Sequence, residues 1–259
     1  MNSFSNTAFI TTINKNLFLK YGYKTFNSWI KIDAIVFVYV DQNEKYFWLK
    51  QKLPKNITIK YFSNSAKVLQ KKIYTHEKKL IKKYQYSLSD FRYMASKFFW
   101  KVAAIKQAVC NDLKFKNFVW IDADIYIKRN DFFLWFQSII VENKINFFGR
   151  SHVSMYAETG LLFIPKKLMS ILSEIYNFYK YLDIFNLSEW HDAYIFTYYF
   201  DKNKSNVCDL SYKSKLSSTH PLFEIQNDKF FTHMKGDRKN KFILFTYILD
   251  FVRFRIMKR

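Results

Sequence analysis

The sequence predicts an α/β fold in which a mostly parallel central sheet is covered by helices. Two observations carry this. Short runs such as Ile35 to Val40 (IVFVYV) are apolar at every position, as strands buried on both faces are. Between such runs lie longer stretches whose apolar residues recur at helical spacing, and this alternation belongs to parallel sheets wrapped by helices.

In chain order, Ala8 to Ile13 reads as a short strand that ends in the polar Thr11-Thr12-Ile13-Asn14. Ile35 to Val40 is the second strand and Ile57 to Phe62 a weaker third. Ser89-Asp90 then reads as a helix cap. After it, Phe91, Met94, Ala95, Phe98, Phe99, Val102 and Val109 keep helical spacing through residue 109. Phe118 to Ile121, Ile145 to Phe148 and Gly160 to Ile164 are three further strands. Leu168, Ile171, Leu172, Ile175, Tyr179 and Leu182 mark another helix, and one more is expected from Ser188 through Phe200. No repeat, low-complexity segment or linker interrupts the pattern, so a single domain is expected.

The 259 residues are enough for a full core, and 49% hydrophobic against 24% charged residues indicates a globular chain. The formal net charge of +21 favours an anionic partner: nucleic acid, an acidic membrane face or a phosphorylated substrate. Cys110 and Cys208 stand far apart with no metal-ligand spacing, which predicts a reducing compartment and no disulfide framework. The start of the sequence has no long apolar segment and no run of about 18 apolar residues occurs, so neither a signal peptide nor a membrane span is expected.

The segment "NFVWIDADIYIKRND" runs an apolar strand into Asp122-Ala123-Asp124 and then back to apolar residues. Carboxylates are seldom buried without a partner. In open α/β sheets ligands bind beyond the carboxyl ends of strands, and two carboxylates at this spacing can hold a hard divalent cation, Mg²⁺ or Mn²⁺. A strand-end turn capped by Asp is the alternative. The chain has only four glycines, Gly22, Gly149, Gly160 and Gly236, so each is expected where a side chain would obstruct. Gly236 lies in "FFTHMKGDRKN", where His233 could complete a metal shell while Lys235 and the N–H groups around Gly236 receive phosphate oxygens. Lys97 and Lys101 are four apart on one helix face, where like charges repel by a few tenths of a kcal/mol unless an anion lies over them.

Taken in order, "FRYMASKFFWKVAAI", "FVWIDADIYI", "YAETGLLFIP", "EWHDAYIF" and "HPLF…FFTHMKGDRK" resemble bacterial nucleotide-sugar glycosyltransferases of the GT-A fold. The likeness spans roughly residues 8 to 240. It implies a Rossmann-like GT-A domain over residues 1–240 and a sugar moved from a nucleoside-diphosphate donor to a glycan or lipid-linked acceptor, as in surface polysaccharide or lipopolysaccharide synthesis. By this resemblance Asp122 and Asp124 hold Mn²⁺ or Mg²⁺, with Asp122 also on the donor ribose and His233 as the third protein ligand. Lys235 and Gly236 close over the diphosphate, and Thr11 lines the nucleoside pocket. Asp192 faces the sugar or acceptor, as a base in an inverting enzyme or an orienting group in a retaining one, with Glu158 as the second choice. The late motif ends Gly-Asp-Arg-Lys where related retaining enzymes have Lys-Pro-Trp, and Glu158-Thr159-Gly160 stands for their Asn-Ala-Gly, so the stereochemical outcome stays open.

Three other classes fit the sequence less well. A haloacid-type phosphatase needs its D-x-D after the first strand. A metal-dependent nucleotidyltransferase usually carries a Gly-rich phosphate loop near its start, which is missing here. A nucleic-acid-binding module would explain charge and aromatics, but the basic residues are dispersed and no such motif occurs, so no nucleic acid is expected. The tail, residues 241–259, places Phe242, Phe245, Ile248, Leu249, Val252 and Ile256 on one face beside basic residues. It predicts an amphipathic helix for an anionic membrane surface or for the core. The expected location is cytoplasmic, peripheral on the inner face of the membrane.

Overall fold

The computed structural model describes residues 6–149, 156–210 and 230–233. The elements run β1 (Thr7–Thr12), the short helices α1 (Lys15–Leu17) and α2 (Tyr23–Ser28), β2 (Ile35–Val40), α3 (Lys45–Trp48) and β3 (Ile57–Tyr61). Then come α4 (Asn64–Tyr84), α5 (Ala95–Asn111), β4 (Asn117–Ile121), β5 (Ile125–Ile127), α6 (Phe132–Ile139) and β6 (Ile145–Phe148). The last are β7 (Glu158–Pro165), α7 (Met169–Lys180), α8 (Asp192–Lys202), β8 (Val207–Asp209) and β9 (Phe231–His233).

Seven strands form one sheet in the order β3-β2-β1-β4-β7-β6-β8. β3, β2, β1 and β4 are mutually parallel, as is the β6–β8 pair, while β7 runs antiparallel to both β4 and β6. The mostly parallel sheet is thus as expected. Its strands read as unbroken apolar runs because both faces are covered. Ala8, Ile10, Phe118 and Trp120 pack under α4, α5, α7 and α8, whereas Phe9, Val38, Val119 and Ile121 pack against the aromatic residues of α2, α3 and α6. Among the described residues no helix is long and apolar enough to cross a membrane.

Two helix starts differ from expectation. Asp90 caps only a single 3₁₀ turn, Phe91–Tyr93, by accepting from the Arg92 N–H. The α-helix begins afterwards at Ala95 with no cap of its own. Its orphan N–H is met from outside: Glu77 of α4 accepts from Ser96 N at 2.7 Å and from Ser96 Oγ at 2.9 Å. α8 starts at Asp192 instead of near Ser188, with His191 Nδ1 accepting from Tyr194 N at 3.3 Å. α4, the longest helix, had no sequence assignment. Its buried side offers only Ala66, Ile73, Glu77 and Ile81, too sparse a stripe to stand out.

Gly149, at the end of β6, shows why a glycine is needed there. Its N–H donates to Asp209 Oδ1 at 2.7 Å, and a Cβ would lie 1.8 Å from Oδ2 of the same carboxylate. The close approach that makes this bond leaves no space for a side chain.

Candidate metal and donor site

The chain reverses its direction of travel across the sheet at β1: β2 and β3 lie on one side of it, β4 on the other. Ligand sites of open α/β sheets form beyond the carboxyl ends of strands at such a switch point. β4 ends there at Ile121, and Asp122 follows with its N–H bonded to Gly160 O at 2.8 Å. Because β7 is antiparallel, it delivers its first residues, Glu158-Thr159-Gly160, to the same rim.

The Asp122-Ala123-Asp124 turn is fixed on both sides. Beyond it, β5 pairs antiparallel with β9, Ile125 opposite His233. On the other side the segment around α2 grips β5: Trp29 Nε1 donates to Ile125 O at 2.8 Å, and Ser28 Oγ accepts from Ile127 N at 2.9 Å. This pairing carries His233, fully buried, to the aspartates. Its Nε2 lies 3.0 Å from Asp124 Oδ1 and 3.7 Å from Asp122 Oδ2.

One ligand atom from each of Asp122, Asp124 and His233 falls within 4.8 Å of the others. A hard cation with ligands about 2.1 Å away places adjacent ligand atoms about 3 Å apart. The 3.0 Å between His233 Nε2 and Asp124 Oδ1 matches that spacing. Carboxylates suit a hard cation and imidazole a first-row transition metal, so the group could hold a divalent metal. The aspartate pair also acts outward: burial and then the charges of Asp124 and Asp122 push the Tyr21 hydroxyl well above its usual pKa.

Asp122 is oriented by its other oxygen. Oδ1 accepts from Trp120 Nε1 at 2.7 Å and lies 3.3 Å from Lys101 Nζ, which leaves Oδ2 towards His233. Lys101 is buried and bonds Thr159 O and Thr159 Oγ1, both at 3.0 Å, and Asp192 Oδ2. Thr159 Oγ1 in turn donates to Asp192 at 2.6 Å, and Asp192 Oδ1 accepts from Ala193 N at 2.9 Å. One ammonium therefore joins the strand-end aspartate to the first residue of α8. Burial alone would lower its pKa, but Asp122 and Asp192 hold it well above its usual value. Burial likewise opposes the Asp192 carboxylate, but Lys101 and the bonds from Lys101 and Thr159 keep its pKa below the usual range.

The remaining candidates are placed as follows. Lys97, one turn before Lys101, is exposed, so the two lysines share a helix face but not an environment. Lys101 meets the protein's own carboxylates, Asp122 and Asp192. Thr11 is fully buried in β1 and closed off from solvent, which removes it from an open pocket wall; Thr12 beside it is half-buried and donates to Tyr39 O at 2.8 Å. Glu158 is buried, and its Oε1 accepts from Gly160 N at 3.1 Å. Lys235, Gly236 and the tail 241–259 lie outside the described residues. Sequence reasoning missed Trp120, Thr159 and Tyr21. Thr159 was within reach, because it sits in the same short motif as Glu158; Tyr21 carried no signal.

Neither a family model nor a curated protein matches the sequence. Solved structures do resemble the fold. A glycosyltransferase involved in the glycosylation of the major capsid of PBCV-1 aligns with TM-score 0.53 and 15% identity, over 91% of this chain and 98% of that one. Mouse xyloside xylosyltransferase 1 in its apo form aligns at 0.48 and 13%, over 78% and 84%. The glycosyltransferase GlyE of Streptococcus pneumoniae TIGR4 aligns at 0.45 and 12%, over 78% of this chain and 44% of that one. At these identities the likeness is one of fold, and the first comparison carries it.

Proposed function

We propose that this protein is a divalent-metal-dependent glycosyltransferase of the GT-A type, moving a sugar from a nucleoside-diphosphate donor to a glycan or lipid-linked acceptor. The observation that supports this reading most is the meeting of Asp122, Asp124 and His233 at the sheet's switch point, in a fold shared with a glycosyltransferase. In this reading those three side chains hold Mn²⁺ or Mg²⁺. When bound there, the cation supplies positive charge for the donor's diphosphate oxygens and offsets the charge that develops as the nucleotide leaves.

The chain's own groups do the rest. Trp120 and Lys101 keep Asp122 turned so that one oxygen stays with the protein and the other faces the cluster. Asp192 is buried, paired with Lys101 and held ionised, which makes it a poor proton acceptor and suits it to orient the sugar or stabilise positive charge near its anomeric carbon. Exposed Lys97 stays available to an anionic ligand, and Lys235 and Gly236 are assigned to the diphosphate by the motif alone. A lipid-linked acceptor places the reaction at the inner membrane face.

A panel of nucleotide sugars, incubated without acceptor, tests this. Slow release of nucleoside diphosphate is expected with Mn²⁺ and not in excess chelator. His233→Ala should raise the Mn²⁺ needed for half-maximal release by at least about tenfold, since one ligand has gone while the aspartates remain. Release that ignores chelator, or turnover of nucleoside triphosphates in preference to nucleotide sugars, would overturn the assignment.

A further inference from the structure

Although the basic residues are dispersed along the chain, seven lysines fall on one element. Helix α4 exposes Lys71, Lys72, Lys78, Lys79, Lys82 and Lys83. At about 100° per residue these six fall within an arc of about 140°, along about 18 Å of helix axis. The helix has a single carboxylate, Glu77, and it points the other way, buried against Ser96 of α5. Lys67, outside this group, reaches a carboxylate: Asp41 at 2.8 Å. Among the described residues no ion pair reaches any of the six. Lys78 and Lys82, and Lys79 and Lys83, are four apart, so the helix carries unrelieved like-charge repulsion along its solvent face.

Apolar groups share this face. Val68, 71% exposed, lies within the arc, and Tyr74, 42% exposed, lies just beyond its edge. Lys78 Nζ lies 4.6 Å from the Tyr74 ring centroid. A face of long cationic side chains with an exposed valine among them and a tyrosine at its edge fits a flat anionic surface with an apolar interior. A single-stranded nucleic acid would instead call for aromatic side chains among the cations on which bases stack, and the arc holds none.

We propose that the solvent face of α4 docks the protein on an anionic lipid bilayer, with the six lysines against phospholipid headgroups and Val68 and Tyr74 at the headgroup level. The surface extends the membrane-face reading of the acceptor but does not depend on glycosyl transfer. It is also separate from the tail, because every lysine invoked lies in α4.

The test compares the full-length wild type with a variant carrying Lys71→Gln, Lys78→Gln, Lys79→Gln and Lys82→Gln. Glutamine keeps helix propensity close to lysine's, and all four positions are exposed, so the fold should survive. Co-sedimentation with vesicles containing phosphatidylglycerol should show wild-type binding that falls as salt rises, and little binding to phosphatidylcholine alone. Each lysine near an anionic surface is worth about fivefold, so the variant's partition should fall at least about a hundredfold although its tail is intact. A second variant, Lys72→Gln with Lys83→Gln, should fall by a smaller factor. Diphosphate release from a soluble nucleotide sugar should be unchanged in both, which separates this result from the fate of the catalytic assignment. Wild-type partition in both variants, equal binding to phosphatidylcholine, or loss of oligonucleotide binding with vesicle binding retained would each overturn the proposal.

Discussion

Asp124→Asn is expected to lower sugar transfer by at least about three orders of magnitude while leaving the fold in place. The Asp124 carboxylate is 13% exposed, with Oδ1 3.0 Å from His233 Nε2. The change keeps the shape of the side chain and removes one of the two charges that a cation at this point requires. Melting without metal should change little, because two neighbouring carboxylates repel and the variant relieves that repulsion. Calorimetric Mn²⁺ binding and donor turnover, read with a thermal melt, check the result. Wild-type turnover, or unaltered Mn²⁺ affinity, would remove the metal from the proposed reaction.

Lys101→Met is expected to have the largest effect on stability, about 3–5 kcal/mol. The methionine can fill the space of the lysine stem, but Asp192 would then remain buried with Thr159 and Ala193 N alone. Adding Asp192→Asn should recover much of the loss, since no uncompensated charge is then left in the interior. The sign with pH follows from the direction of the shift. In the wild type the Asp192 carboxyl titrates below its usual value, so its contribution is full above about pH 4 and is lost as pH falls through the lowered folded value. Without Lys101, burial raises the same carboxyl, and its penalty is relieved by protonation. The gap between wild type and Lys101→Met should therefore be widest at neutral pH and narrow below about pH 4. Denaturant melts across this range measure it. A constant gap would mean that packing, not charge, sets the cost.

The sheet was legible because buried strands leave a mark that depends on no partner. IVFVYV and FVWI are apolar at every position because helices cover both faces. The aspartate pair was legible for a related reason, as charge set directly after such a run. What stayed hidden depends on residues distant in sequence. The start of α5 is capped by Glu77 from another helix, so the local signal at Ser89-Asp90 pointed to a turn that is only the prelude. Lys97 and Lys101 look alike in sequence, and the arrival of Thr159 from β7 and Asp192 from α8 makes one of them buried and paired. Thr11 sits at the end of its strand as expected, yet the packing around it leaves its side chain no exposure. α4 escaped because its outer face is made of lysines and its inner face of few apolar groups. His233 was singled out by the resemblance and by its place beside Gly236. Only the β5–β9 pairing brings it to the aspartates.

That pairing also has a kinetic side. β9 is three residues long, and it joins the chain to a strand roughly a hundred residues earlier, so a long loop must close before the imidazole reaches its neighbours. During synthesis the two aspartates emerge well before the histidine, and a nascent chain carries only part of the cluster. Once complete, so short a strand is held by few backbone bonds and is a natural point of local opening. In the proposed reading, a cation held by His233 and the aspartates would favour the closed form by mass action, and so fasten β9 to β5. Amide exchange at Phe231 and His233 should accordingly slow as Mn²⁺ is added, with β1 and β2 unaffected; equal rates with and without the ion would show that this clasp is not under metal control.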